Sequence, residues 1–321
     1  MLNVSSSPHI RHIDTTSGIM LDVFIALLPA AIFGCMVYGY YAAILVCVCV
    51  VSAVLFEFLW NLILKKPQSV GDFSAVVTGL ILGMNLPPKT PVWIAVIGSF
   101  AAIIVVKQMF GGLGHNFVNP AIAARIILLV SFPQFMSGLQ SYVSPFTADT
   151  ITSATPLEAL KTSAISASDL SLYEMFFGVG QKSGAIGEVS VFFLVLGGLY
   201  LIIRKVIKPI IPLSFIGTVA LMTFLFKGFD IHTTLVYILS GGLFLGAIFM
   251  ATDYVTSPTT NLGKLVFGIG CGFITFVIRQ WGSLPEGVSY SIILMNILVP
   301  HINKLTARKQ FGVKGVKENG K

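Results

Sequence analysis

The sequence predicts an all-α integral membrane protein, and three observations carry that prediction. Hydrophobic residues fill 55% of the 321 positions and charged residues only 10%, with a mean hydropathy of +0.89. Soluble domains contain about 25% charged residues, so this chain has too few charges to cover a surface that faces water. Apolar runs of spanning length recur along the chain, and Lys and Arg cluster in alternate connections between them.

The apolar runs predict about ten transmembrane helices. A helix that crosses the hydrocarbon core needs about 20 apolar residues. The third run is short and ends at Leu86-Pro87-Pro88, whereas the others approach or reach that length. The predicted spans cover residues 20–38, 40–64, 73–87, 91–110, 119–137, 188–204, 210–226, 232–250, 262–281 and 288–306. An even number of spans places both termini on one side of the membrane.

The basic residues predict which side that is. If the N-terminus is cytoplasmic, the inside connections hold most of the Lys and Arg, as the positive-inside rule requires. These residues are Lys65, Lys66, Lys107, Arg204, Lys205 and Lys208, together with the basic C-terminal tail. The predicted organisation is a cytoplasmic N-terminal segment (1–19), helices 1 to 5 (20–137), an extracytoplasmic loop (138–187), helices 6 to 10 (188–306) and a cytoplasmic tail (307–321).

The two groups of spans share a weak internal repeat. The sequence TGLILG at 78–83 matches GGLFLG at 241–246, and KQMFGGL at 107–113 matches RQWGSL at 279–284. The copies lie five spans apart, so the second copy would be inverted in the membrane, as in folds that gather a site near the midplane. Pro and polar residues follow the third and eighth spans, which predicts broken helices there. A chance match between Gly- and Leu-rich spans is the alternative.

A polar stretch, DTITSATPLEAL at 149–160, interrupts the apolar sequence. Taken alone, it is typical of a helix start, with Thr155 as the N-cap and Pro156 at the first helical position.

Several sequence blocks together resemble one family of membrane proteins. The blocks are FGGLGHNFVNPAIAAR at 110–125, TSATPL at 152–157, GAIGE at 184–188, FMATDYVTSP at 249–258, and PEGV at 285–288 followed by LMN at 294–296. In this order they resemble the NqrB/RnfD family, membrane subunits of the sodium-pumping NADH:quinone oxidoreductase and of the Rnf ferredoxin:NAD oxidoreductase complex. The resemblance covers nearly the whole chain. The short polar segment before the first span favours the Rnf type.

The resemblance implies a covalently bound FMN. Members of this family carry FMN in a phosphoester bond to the last threonine of an Asp-x-x-Ser/Thr-Gly/Ser-Ala-Thr motif. The resemblance therefore implies that Thr155 is the acceptor, in a motif that Asp149 opens and Thr152, Ser153 and Ala154 continue. A flavin transferase outside the cytoplasm would have to reach this hydroxyl, in agreement with the extracytoplasmic loop. Helix capping by Thr155 and attachment of FMN do not exclude each other.

A second, non-covalent flavin is the other cofactor that the resemblance implies. NqrB-like relatives hold riboflavin in the membrane part, and the corresponding contacts here would be made by Gly111, Gly112, Asn116 and Asn119. A tight turn in which Asn119-Pro120 starts the fifth helix is an equally good interpretation of this segment.

Acidic residues at membrane depth are candidates for an ion path, because a carboxylate there is costly to bury. The candidates are Asp22, Glu57, Glu188 and Asp253. For Glu57 and Asp253 we favour a role in an ion path. Asp22 and Glu188 are more simply interpreted as water-facing charges near helix N-termini, where the helix dipole stabilises them.

The predicted function is that of a flavin-carrying subunit of an electron-transport complex in a prokaryotic cell membrane. Electrons would pass between FMN on Thr155 and the flavins or iron–sulfur centres of partner subunits, coupled to movement of Na⁺ or H⁺. The chain has no dinucleotide fingerprint, and its four cysteines lack metal-site spacing. It therefore needs partner subunits to complete an oxidoreductase. A transporter or channel with an inverted repeat and no redox role is one alternative, and an NqrB-type subunit is another. The basic net charge of +7 is interpreted as membrane topology, not as nucleic-acid binding.

Overall fold

The computed structural model describes residues 15–136, 155–162, 167–179, 184–282 and 287–307. Every regular element within those ranges is helical, so the prediction of an all-α fold is confirmed. The predicted N-terminal segment up to residue 14, residues 137–154 and the tail from residue 308 lie outside the described residues.

The helices up to residue 136 follow the first five predicted spans. Thr15 caps the first helix, since its side chain accepts a hydrogen bond from the Gly18 N–H, and Gly39 (φ 87°) turns the chain into the second. The helices are α1 (Thr16–Tyr38), α2 (Tyr40–Ile63), α3 (Ser74–Met84), α4 (Val92–Phe100), which continues as a π-helical segment (Ala101–Gln108), α5 (Pro120–Ser131) and α6 (Pro133–Met136).

The helices from residue 155 onward comprise short elements in the predicted loop and then the second group of spans. They are α7 (Pro156–Lys161), α8 (Leu172–Phe177), α9 (Val191–Ile203), α10 (Ile210–Phe226), α11 (Ile231–Leu239), α12 (Leu243–Leu245), which continues as a π-helical segment (Gly246–Met250), α13 (Asn261–Trp281) and α14 (Val288–Thr306).

Three helices in the described part of the chain, α1, α2 and α13, are long and apolar enough to cross a membrane. The pair formed by α11 and Leu243–Met250 would be a fourth span, bent by 65°. Shorter apolar helices lie at the positions of the third, fourth, fifth, sixth and seventh predicted spans. Each predicted span thus contains helix, whereas the number of crossings stays a prediction.

Two predicted spans are not continuous helices. The eighth predicted span breaks internally at 240–242, where Gly241 adopts φ 69°. Its helix then ends at Met250. The fifth breaks at Phe132, immediately before Pro133, because proline disfavours helical geometry in the residue that precedes it. Buried Arg279 stabilises the break at 240–242. Its guanidinium donates hydrogen bonds to the carbonyls of Tyr237 (2.7 Å) and Ser240 (3.1 Å).

The two groups of helices pack in similar ways. In the first, α2 packs on α3 and α4, and in the second, α10 packs on α11 and α13. Contacts of α1 with α9 and of α5 with α14 join the groups. Close approach depends on glycine, because a Cβ on Gly79 would lie 2.7 Å from the Cys49 carbonyl oxygen. Small residues at such interfaces are the usual means of packing helices in a membrane, where lipid supplies no hydrophobic driving force.

Replacing Gly272 with Leu is expected to destabilise the protein by about 3 kcal/mol, because overpacking forces backbone to move. A Cβ at this position of α13 would lie 2.8 Å from the Phe215 carbonyl oxygen and 2.6 Å from the Thr218 Cβ of α10. Gly217→Leu is the matched control, since a Cβ there has no neighbour within 4 Å. Thermal unfolding of the detergent-solubilised protein measures the difference. Equal unfolding temperatures for the two variants would contradict this packing of α13 on α10.

Candidate functional site

Two cavities lie at opposite ends of α1 in the described part of the chain. Cavity A adjoins the amino end of α1 at Ile19 and Val23, and cavity B adjoins the carboxyl end at Tyr38. Cavity A occupies about 780 Å³ and cavity B about 610 Å³, including their open mouths.

Thr155 directly precedes Pro156, which lines cavity B. The side chain of Thr155 caps α7, with Oγ1 accepting a hydrogen bond from the Glu158 N–H at 3.2 Å. The prediction of a helix start with Pro156 at the first position is therefore confirmed. The other residues of the predicted FMN motif, Asp149, Thr152, Ser153 and Ala154, lie outside the described residues.

The short helix α7 is fastened to the ends of the spanning helices. Leu157 is buried and packs near Gly241 at the break of the eighth predicted span. At the other end of α7, Lys161 Nζ donates to the Gly282 carbonyl that follows α13, and partial burial lowers the pKa of this ammonium. The helix that Thr155 caps is thereby held against the wall of cavity B.

Glu188 lines cavity B and faces Arg125 of α5. Its Oε1 lies 3.7 Å from Arg125 Nη2, and the Glu188 side chain is only 7% exposed. Arg125 Nη1 also donates to Asn85 Oδ1 (2.8 Å) and to Ser289 Oγ (3.3 Å). The interpretation of Glu188 as a water-facing charge is wrong, because the chain enters α9 through a turn that the Ile186 N–H anchors to the Leu86 carbonyl.

Cavity A is lined by two of the four predicted contacts of the second flavin. Asn116 and Asn119 both line it, with Ser74, Lys107 and Asp253 as further polar groups. The remaining wall is largely apolar: Ile19, Met20, Val23, Val77, Ile81, Leu201, Val206, Ile207 and Phe249. Leu113 is in the lining, whereas Gly111 and Gly112 lie in the adjacent turn with φ of 119° and 94°.

The Asn119 side chain starts α5, as the alternative interpretation of this segment predicts. Its Oδ1 accepts from the Ala121 and Ile122 N–H groups, and its Nδ2 donates to the Met250 carbonyl at 3.2 Å. These three bonds use most of the amide, so Asn119 shapes cavity A more than it offers free donors. Asn116 Nδ2 donates to the Val118 carbonyl at 3.0 Å.

Glu57 and Lys107 form a buried ion pair beside cavity A. Lys107 Nζ lies 2.8 Å from Glu57 Oε2, and the two side chains are 2% and 1% exposed. Lys107 also donates to Ser74 Oγ at 2.5 Å. The prediction that Lys107 is a cytoplasmic surface charge is wrong, since the π-helical segment that follows α4 carries it inward against α2 and α3.

The remaining acids differ in their surroundings. Asp22 lies in the second turn of α1 and accepts from Tyr200 (2.8 Å) and Arg204 (3.2 Å) of the α9 end. Its interpretation as a water-facing charge at a helix start is therefore wrong, because α1 begins six residues earlier, at Thr16. Asp253 lines cavity A, and its Oδ2 accepts from Thr256 Oγ1 at 2.9 Å.

Sequence reasoning missed the polar residues that join the two groups of helices. In the sequence, Arg125 and Asn296 stand out only as members of the family-like blocks, and Asn85 only as part of a helix end. In the orientation that satisfies its neighbours, the Asn296 amide donates to the Thr256 carbonyl (3.0 Å) and accepts from the Asn119 N–H (3.2 Å). The available signal was an arginine within a predicted span, since such a residue is a functional candidate by default.

Comparison with known proteins assigns the chain to a family. A sequence model described as the NQR2, RnfD, RnfE family matches residues 3–312. The chain is 48% identical to the D subunit of the Na⁺-translocating ferredoxin:NAD⁺ oxidoreductase complex of Acetobacterium woodii, covering 100% of this chain and 98% of the relative. It is 42% identical to the D subunit of the proton-translocating ferredoxin:NAD⁺ oxidoreductase complex of Clostridium ljungdahlii, covering 98% and 97%. The D subunit of the ion-translocating oxidoreductase complex of Stutzerimonas stutzeri is 38% identical, with 92% and 91% covered.

The match to the family model over nearly all of the sequence agrees with these identities over whole chains, so the chain belongs to the NQR2, RnfD, RnfE family.

Proposed function

We propose that this protein is the flavin-carrying D-type membrane subunit of an Rnf-type, ion-translocating ferredoxin:NAD⁺ oxidoreductase complex. The names and whole-chain identities of the relatives support this role. The chain is thus a multi-pass membrane subunit of an oxidoreductase complex and acts with other membrane and peripheral subunits of that complex. The chain passes electrons between FMN on Thr155 and the redox centres of its partners, coupled to translocation of Na⁺ or H⁺.

The observation that carries the flavin proposal is the position of Thr155 at the edge of cavity B. Thr155 is the last residue of the predicted FMN motif, and contacts of Leu157 and Lys161 hold α7, which follows it, in place. Ser171 and Ser240 in the wall of cavity B carry hydroxyl oxygens that can accept a hydrogen bond from a ring N–H. These residues fit an FMN joined through its phosphate to Thr155. A flavin transferase would attach it during maturation.

We also propose cavity A as the site of a second, non-covalent flavin, for which riboflavin is the candidate. One wall is apolar and suits a flat aromatic ring, while Asn116, Ser74 and Lys107 supply polar groups at the other. A bound flavin supplies one- and two-electron redox chemistry, and the protein supplies position, exclusion of water and charge. Here Asn119 fixes the wall by tying α5 to Met250, and the Gly111-Gly112 turn closes the adjacent connection.

A ten-helix fold made of two inverted five-helix repeats is part of the proposal. Its support is a matching pair of polar contacts. Arg125 of α5 bonds to Asn85, after α3, and to Ser289, at the start of α14. Asn296 of α14 bonds to Thr256, after the eighth predicted span, and to the N–H of Asn119, at the start of α5. Each helix thus contacts the break in its own group and the start of its counterpart, as two copies related by a two-fold axis would.

The proposed orientation follows from the basic residues. Both termini and cavity A lie on the cytoplasmic side, and residues 138–187 with cavity B lie outside. Glu57 and Asp253 beside cavity A are the proposed ion-path residues, and Glu57 pairs there with a lysine. Asp22 and Glu188 pair with arginines and do not line cavity A. The names of the Acetobacterium woodii and Clostridium ljungdahlii relatives differ in the cation, Na⁺ for the first and protons for the second.

Filling cavity A tests the second flavin. We expect the purified complex to hold covalent flavin on this subunit and, in addition, extractable riboflavin. Thr78→Phe should reduce the extractable flavin at least tenfold, because Thr78 lines cavity A, and leave the covalent flavin in place. Val76→Phe is the matched control, since Val76 lies two residues earlier on α3 in the wall of an apolar groove that α1 and α2 also line.

Flavin extraction followed by chromatography measures both contents. A colourless subunit from a host that contains the flavin transferase would refute the redox role and favour a transporter. Equal loss of extractable flavin in both variants would refute the assignment of the second flavin to cavity A.

A further inference from the structure

Lys107 lies between an acid and a cavity. Its ammonium contacts Glu57 Oε2 at 2.8 Å and Ser74 Oγ at 2.5 Å. Lys107 and Ser74 both line cavity A, whereas Glu57 lies behind them on α2 and is 0% exposed. The only positive charge in the described wall of cavity A is thus held by a carboxylate outside that wall.

The other oxygen of Glu57 faces away from the cavity. Glu57 Oε1 accepts from Ser69 Oγ at 2.5 Å, and Ser69 Oγ in turn accepts from Asn61 Nδ2 at 2.9 Å. Ser69 is half-buried in the connection between α2 and α3, next to exposed residues 62–68. The carboxylate therefore has a polar route to the surface that does not pass through cavity A.

The pair differs from the buried ion pair that Arg125 forms with Glu188. Arg125 is tied by Asn85, Ser289 and Glu188 on three different segments, and its planar guanidinium suits fixed, multiple contacts. Lys107 has a compact charge on a flexible four-carbon stem. A buried pair of this kind contributes little net stability, because desolvation offsets the attraction. The geometry suits a charge that changes partner.

We propose that Lys107 exchanges between Glu57 and negative charge in cavity A, and that Glu57 takes up a cation when Lys107 leaves it. This inference rests on the proposed function, in which a flavin occupies cavity A. One electron from a one-electron donor of a partner subunit adds one negative charge to the cavity. The Lys107–Glu57 ion pair breaks, the ammonium pairs with the added charge, and Glu57 binds one H⁺ or Na⁺ through the Ser69 side. Charge balances without any covalent step.

This exchange links electron arrival to cation uptake through one side chain. Without this exchange, the added negative charge would lie in a low-dielectric cavity with no counter-charge. Glu57 would also stay paired with Lys107 and would not bind a cation. Lys107 acts here as a positioning residue, since it sets the charge of the cavity and of Glu57.

Potentials of the extractable flavin in the intact complex test the proposal. In Glu57→Gln the ammonium is released toward the cavity, and we expect the reduced-to-oxidised ratio at a fixed potential to rise at least tenfold, about 59 mV for one electron. In the double variant Lys107→Met/Glu57→Gln the ratio should fall at least tenfold below the wild type. Lys107→Arg should retain a wild-type ratio within that limit. Lys304→Met, which removes an exposed lysine, is the control and should change nothing.

Infrared spectroscopy provides a second measurement. Redox-induced infrared difference spectra of the wild-type complex should show a change in carboxyl or carboxylate stretching bands on reduction, and that change should be lost in Glu57→Gln.

The outcomes separate the two proposals. If the wild-type complex has no extractable riboflavin, the second flavin in cavity A and the charge exchange both fail, whereas covalent FMN on Thr155 is unaffected. If that flavin is present, is displaced by Thr78→Phe, and keeps its wild-type potential in the double variant, the pair is a static ion pair and only the exchange is refuted. Absence of any such band change in the wild type would refute the exchange as well.

Discussion

Replacing Thr155 with Ala is expected to abolish covalent attachment of flavin to this protein. The hydroxyl of Thr155 is the proposed acceptor, and no other group of the side chain can form the phosphoester. Loss of the N-cap of α7 would cost about 1 kcal/mol, which is too little to unfold a protein of this size. Intact-mass analysis of the subunit, expressed with the flavin transferase, and fluorescence retained after denaturation measure the result.

Two further substitutions at this position separate capping from attachment. Thr155→Asn retains a side chain that caps helices well but has no hydroxyl, so it should fold like the wild type and carry no flavin. Thr155→Ser keeps both properties and should keep the flavin. Covalent flavin on the Asn variant would show that the acceptor is another residue.

Replacing Arg125 with Leu is expected to destabilise the protein by about 3–5 kcal/mol, because it leaves the Glu188 carboxylate buried without its guanidinium. The same change removes the hydrogen bonds to Asn85 and Ser289 that join the break after α3 to the start of α14. We expect loss of assembled complex and a lower unfolding temperature. Unfolding in detergent, followed by size-exclusion chromatography, measures both.

The matched comparison is Arg204→Leu. Arg204 also pairs with a carboxylate, Asp22, but its side chain is 57% exposed, and exposed pairs contribute at most about 1 kcal/mol. Adding Glu188→Leu to Arg125→Leu should recover part of the lost stability, since the unpaired charge is then gone. If the Arg125 and Arg204 variants unfold at the same temperature, the buried contacts of Arg125 do not stabilise the protein.

Local sequence was sufficient for the helices and for several of their ends. The short third helix was predicted from Leu86-Pro87-Pro88, and the starts at Thr155-Pro156 and Asn119-Pro120 were predicted from capping chemistry. These features depend on a few adjacent residues, so a single sequence displays them.

The break inside the eighth predicted span was not predictable in the same way. Gly241 and Gly242 could have continued a helix, since the membrane tolerates glycine in spans. The bend is stabilised by Arg279, on the next long helix, which donates hydrogen bonds to the backbone carbonyls of Tyr237 and Ser240. Arg279 lies about 40 positions away in the chain, so the local sequence around the break does not predict this contact.

By itself, the sequence determined that this protein is helical and lies in a membrane, and it identified the family and the candidate flavin threonine. Hydropathy, caps and short motifs are properties of neighbouring residues, and they act before the chain is folded. Only the tertiary structure decided which charges are paired, so that Lys107 meets Glu57 and Arg125 meets Glu188. The physical reason is that the cost of a buried charge depends on what lies within a few ångströms of it, and those neighbours come from distant helices.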